Sequence, residues 1–190
     1  MSILENLRTE TREIHNQLDQ LPFMSKLLSG EGTVDDYVKY LQLFGAIHGG
    51  VESALFPALN ERLDKYKKNS RILAIQKDLS YYDKQLSDFK LPQMTITEEG
   101  APGAIYVLEG SRLGGHYIAK QLKEKYEIPD EALHFLKEQP MYSWKEVRSD
   151  IEDSKKEQQQ AILSTAKKTF RFFEQCITLL RDRNEKDQAK

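Results

Sequence analysis

A chain of 190 residues, 39% hydrophobic and 31% charged, is long enough to bury one substantial core, and no apolar run approaches the length of a membrane span. The net charge of −2 gives no reason to expect nucleic acid or an anionic membrane as partner, and the opening MSILENLRTE lacks the apolar core of a signal peptide. The single cysteine, Cys176, excludes an internal disulfide framework and fits a reducing cytoplasm.

The pattern is helical almost throughout. Leu4, Leu7, Thr11, Ile14, Leu18 and Leu21 step by threes and fours, which puts an apolar stripe on a first helix. Ser2 and Glu5 have capping-box spacing at its start. Pro22 and the loop SGEG (29–32) interrupt the pattern, and Thr33 with Asp35 and Asp36 opens a second helix through Tyr37, Leu41, Phe44 and His48. The spacing of Leu73, Leu79, Tyr82 and Leu86 predicts a third helix from about Asn60 to Phe89.

KLPQMTITEEGAPG (90–103) is the longest break, after which Pro102 suits the first turn of a further helix. Pro129 and Pro140 bracket a short helix, and Ser143/Glu146 and Ser154/Glu157 repeat the capping-box spacing. A last helix carries Leu163, Ala166, Phe170, Phe173, Ile177 and Leu180 before a polar tail, 181–190. No segment alternates as a half-buried strand does. The expectation is an all-α, single-domain protein over 1–190, with seven or eight helices.

The stretch VLEGSRLGGHYIAKQL (107–122) reads as helix at both ends yet contains Gly110, Gly114 and Gly115. Each glycine in a helix interior costs roughly 1 kcal/mol relative to alanine, so three cost about 3 of a net stability on the order of 5–15 kcal/mol. Gly110 and Gly114 share a face with Val107, Ser111 and Ile118. Such a bare face serves either tight helix–helix packing or a flat ligand lying on the backbone.

His15 borders the first apolar stripe, with Asp19 one turn onward and Arg12 and Arg8 behind it on nearly the same side. An imidazole whose Nδ1–H is held by a carboxylate keeps Nε2 free for a metal, and two arginines suit carboxylates on a bound group. The same residues also read as ordinary surface charges. His48 reads as a hydrogen-bonded core histidine, His116 as a rim or solvent residue, and His134 has no evident partner. Cys176 reads as a small buried hydrophobe, while Lys145 and Arg148 are further candidate cations.

LRTETREIHNQLDQLPFMSKLLSGEGTVDDYVKYLQLFGAIHGGVESAL (7–55) and YVLEGSRLGG (106–115), in that order in a helical chain, resemble the haem oxygenase family over nearly the whole length. The resemblance implies a haem-oxygenase-like bundle in which haem is sandwiched between the first helix and a glycine-kinked distal helix. It makes His15 the iron ligand and Asp19 its partner. Arg8 and Arg12 stand where relatives carry basic residues near the propionates. Gly110, Gly114 and Gly115 form the distal wall, and Val107 and Phe170 line the pocket. Ser111 stands where mammalian-type enzymes carry an aspartate that organises waters; the EGSxLGG form resembles a bacterial branch associated with phytochrome chromophore supply or haem-iron use.

The implied activity is O2-dependent cleavage of haem, at once substrate and cofactor, to biliverdin, CO and ferrous iron. Its electrons come from an external reductase or ferredoxin. Burying several hundred Å² of a flat apolar disc at about 25 cal/mol per Å² outweighs the glycine cost. A haem carrier or sensor without turnover is the alternative. A thiaminase-like enzyme on the same scaffold is a further one, for which Cys176 is a poor fit.

Overall fold

The structure, a computed structural model, describes residues 2–86, 91–112 and 114–188, with side chains to residue 179. Its α-helices are α1 (Ile3–Asp19), α2 (Pro22–Ser29), α3 (Val34–Leu55), α4 (Ile72–Tyr81), α5 (Ala101–Gly110), α6 (Gly115–Tyr126), α7 (His134–Lys137), α8 (Trp144–Glu152) and α9 (Lys156–Gln188). Among the described residues there is no strand. The all-α expectation holds.

Three helix starts are fixed by reciprocal caps. The Ser2 hydroxyl accepts from Glu5 N while the Glu5 carboxylate accepts from Ser2 N. Thr33 with Asp36 and Ser143 with Glu146 repeat the device. The Ser154/Glu157 box does not form. Ser154 donates its hydroxyl back to Ile151 O, and Lys155 N finds Gln158 Oε1 instead, so α9 begins at Lys156. The helix then runs on through the 181–188 backbone, where the sequence reads as a polar tail.

α3 is the central element, with Tyr37, Tyr40, Leu41, Leu43, Phe44, Ile47, Val51 and Leu55 buried around most of its girth. It packs on α2, α4, α5 and α9. α5 is also buried nearly all round and lies on α8 and α9, and α1 packs on the same two helices. Cys176 sits inside this core, its thiol pushed up to about 12 by burial.

Two expected helices differ. The segment expected as helix from Asn60 is a pair of 3-10 turns, Phe56–Ala58 and Asp64–Asn69, followed by the shorter α4; Phe89 lies outside the described residues. Asn69 is the cause: its amide donates to Tyr142 O (2.9 Å) and accepts from Tyr142 N (3.0 Å), pinning the chain where helix would carry it away. The distal stretch is also broken rather than bent. α5 ends at Gly110, and α6 starts at Gly115 with Gly114 as its N-cap. All three glycines therefore stand at helix ends, where the interior penalty largely lapses.

Candidate functional site

α1 carries His15 on its half-exposed side. Nδ1 lies 3.2 Å from Asp19 Oδ2, which commits that nitrogen and leaves Nε2 disengaged. The ring meets Phe170 of α9 edge-on, with centroids 6.4 Å apart. Arg12 and Arg8, one and two turns earlier, are exposed. Phe170 of α9 and Val107 of α5 are both buried.

Burial raises the Tyr106 phenol of α5, and the guanidiniums of Arg8 and Arg148 beside it oppose that rise. Leu28 of α2 is the near neighbour of Gly114: a Cβ there would meet its Cδ2 at 3.9 Å. α8 packs on both α1 and α5, and so joins the helix that carries His15 to the helix that ends at Gly110.

A Cβ on Gly110 would meet Trp144 Cη2 at 3.7 Å, ordinary contact with a side-chain tip. Gly110 and Gly114 thus present main chain toward side chains only. Gly115 departs from the expected distal wall. It is buried, and its missing Cβ is directed at the Leu136 carbonyl oxygen (3.2 Å), so its bareness serves packing on α7. The Ser111 hydroxyl donates to Leu108 O at 2.6 Å, which spends its proton on the end of α5. Leu113 lies outside the described residues.

The break is held by charges the sequence reading missed. Arg112 reaches Glu109 Oε1 (3.3 Å) and donates to Glu138 O (2.7 Å), and the Tyr66 hydroxyl donates to the same Glu109 oxygen (3.1 Å). Burial raises the Glu109 carboxyl although Arg112 and Arg71 oppose it. Deeper in, His48 Nδ1 and Glu52 Oε1 are 2.7 Å apart, with Ser70 and Arg71 N also donating to Glu52. Burial lowers the His48 imidazole. His48 is thus the core histidine expected, and His116 is exposed. His134 differs from expectation: Asp78 Oδ1 lies 3.0 Å from its Nδ1. A signal for these was present, since Glu109 is the one charge in APGAIYVLEG and Asp78 falls on the apolar stripe of Ala74, Ile75 and Leu79.

Among the described residues no three His, Cys, Asp or Glu side chains converge, so protein ligands alone offer no metal cage there. A lone imidazole with a free Nε2, two arginines on the same helix and glycines bare of side chains at the α5–α6 break instead fit iron that arrives with its other ligands, as in a porphyrin. Among the described residues no helix is long and apolar enough to cross a membrane.

Three comparisons bear on the fold and the family. A heme oxygenase from Xanthomonas campestris pv. campestris (strain 8004) is 26% identical over 132 residues, 68% of this chain and 79% of that one. The NO- and CO-bound heme oxygenase of Neisseria meningitidis superposes with a TM-score of 0.70 at 20% identity, covering 96% of this chain and 92% of that one. Heme oxygenase-1 of Synechocystis sp. PCC6803, in complex with heme, gives 0.67 at 13% identity over 100% and 96% of the two chains. The sequence model of the Heme oxygenase family matches residues 1–178, and the chain belongs to that family of haem-degrading enzymes.

Proposed function

We propose that this protein binds haem between α1 and the α5–α6 break and opens the ring with O2, releasing biliverdin, CO and ferrous iron. The observation that carries the reading is the His15–Asp19 pair, which engages Nδ1 and leaves the other imidazole nitrogen free for a metal. Haem as substrate supplies the iron that binds O2 and the meso carbon that is oxidised. The electrons come from an external reductase or ferredoxin, in the cytoplasm.

The chain's own residues do the rest. His15 Nε2 holds the substrate by its iron, and Asp19 fixes the ring's orientation and tautomer by accepting the Nδ1–H. A histidine ligand would push less electron density to the iron than a thiolate. Arg8 and Arg12 pair with the propionates. Gly110 and Gly114, bare of side chains, would let the backbone approach the haem closely and limit the room for O2 beside it. Ser111 keeps its proton on Leu108 O, and Glu109 is turned inward to Tyr66 and Arg112, so both side chains are engaged within the protein.

The test is to mix purified protein with hemin, a reductant and O2. The expected result is loss of the Soret band and growth of a biliverdin spectrum. A stable ferrous–O2 complex with the ring intact would show a carrier or sensor instead.

A further inference from the structure

α8 packs on both α1 and α5, the helices that carry His15 and Gly110. Its start is fixed. The Ser143 hydroxyl accepts from Glu146 N at 3.3 Å, and the Glu146 carboxylate accepts from Ser143 N at 2.8 Å. Trp144 is the first residue after that cap and the only tryptophan in the chain.

The indole lies against the Tyr106 ring, with centroids 5.3 Å apart and planes tilted by 42°. Its tip, Cη2, is the nearest neighbour that a Cβ on Gly110 would meet, at 3.7 Å. The side chain is only half-buried, although the residues behind it on α8, Val147 and Ile151, are fully buried. A large apolar ring is thus held at the border of the bare main chain, with part of its edge facing outward.

We propose that Trp144 is a positioning residue for haem: its indole edge forms a side wall of the cleft and sets the in-plane angle of the porphyrin. The inference rests on the haem-cleavage reading above. An iron–imidazole bond fixes one point of a disc and leaves it free to rotate about that bond. Arg8 and Arg12 are exposed and long, so their grip on propionates is compliant. Trp144 is different in kind. It has two side-chain torsions, is braced by Tyr106, and stands on a capped helix end. The stiffest restraint on the ring's periphery is therefore the indole, and the angle it sets selects the meso carbon beneath Gly110.

The full-length protein is reconstituted with hemin, converted to the ferric cyanide complex, and examined by proton NMR. Indole protons of Trp144 should show NOEs to the haem periphery in the wild type. Trp144→Phe should keep one set of haem methyl resonances. Trp144→Ala should shift or double that set, with the Soret maximum unmoved, and should change the ratio of biliverdin isomers. Absence of any indole–haem NOE in the wild type would overturn the proposal without recourse to a variant, as would an unaltered methyl pattern in Trp144→Ala. Were the wild type to form no stoichiometric hemin complex, the haem reading itself would fail, and this inference with it.

Discussion

Gly103 of α5 sits directly on the backbone of α9: a Cβ there would drive into the carbonyl oxygen of Ile162 and come within 3.0 Å of Ala166 N. Neither atom can rotate aside, unlike a side-chain tip. Gly103→Ala should therefore cost about 1–3 kcal/mol of stability, the range of overpacking in a tight core. Gly110→Ala should stay within about 0.5 kcal/mol of the parent, as surface-like changes do, since it meets only Trp144 Cη2. Urea unfolding of both variants checks this. The same Gly110 methyl should weaken hemin binding by about tenfold or more, roughly 1.4 kcal/mol. An unchanged affinity would remove Gly110 from the cleft.

Asp78 is wholly buried and accepts four hydrogen bonds, from the Tyr37 hydroxyl (2.8 Å), His134 N (2.8 Å), Phe135 N (2.9 Å) and His134 Nδ1 (3.0 Å). It anchors α4 to the start of α7 and to α3. Asp78→Ala strands several donors at once and should cost about 3–5 kcal/mol. Tyr37→Phe removes one donor and leaves the others satisfied, so about 1 kcal/mol is expected. Thermal or urea unfolding should rank the two in that order.

The parts of this protein legible in its sequence are those set by local chemistry. The α1 stripe, the caps at Ser2 and Ser143 and the pairing of His15 with Asp19 all depend on residues within one turn. One local reading failed, the Ser154/Glu157 cap, lost to Ile151 O and Gln158 within a turn; elsewhere the deciding partner was distant in sequence. Leu63 and Tyr66 are buried at a spacing of three, which a helix and a 3-10 turn share, and only the Asn69–Tyr142 pairing separates the two. His134 looked isolated because Asp78 stands on another helix. The three distal glycines signalled weakness at 110–115, but bending and breaking have the same composition. Arg112, closing the gap through Glu109 and Glu138, marks it as a break.

Acid should destabilise the fold through one buried pair. Burial lowers the His48 imidazole from its ordinary 6.5, even though Glu52 opposes the shift. Burial also raises the Glu52 carboxyl, but hydrogen bonds from His48, Ser70 and Arg71 outweigh it and leave Glu52 below its ordinary 4.5. In both cases the unfolded chain takes up protons at a higher pH than the folded one, so stability rises with pH through these windows. The pair's contribution is complete above about pH 6.5 and drains away as pH falls. Urea midpoints should be level from pH 7 to 8 and decline from about 6.5 downward. His48→Gln should flatten the upper part of the decline; a variant that tracks the parent at every pH would assign the loss to other groups.

The His15–Asp19 pair separates ligand binding from folding, because both side chains are about half exposed, at 54% and 41%. Neither contributes much to the core, so His15→Ala and Asp19→Ala should each unfold within about 0.5 kcal/mol of the parent. Their hemin complexes should differ sharply from one another. Without His15 the iron loses its protein nitrogen, and the Soret band should shift and weaken; added imidazole should restore it by entering the space the side chain left. Without Asp19 the nitrogen remains but its ring is no longer oriented, and affinity should fall by about 10–100-fold, the usual effect of removing a metal ligand's hydrogen-bond partner. Optical titration with hemin at fixed pH reads both effects. A His15→Ala protein whose spectrum and affinity match the parent would place the iron ligand elsewhere in the chain.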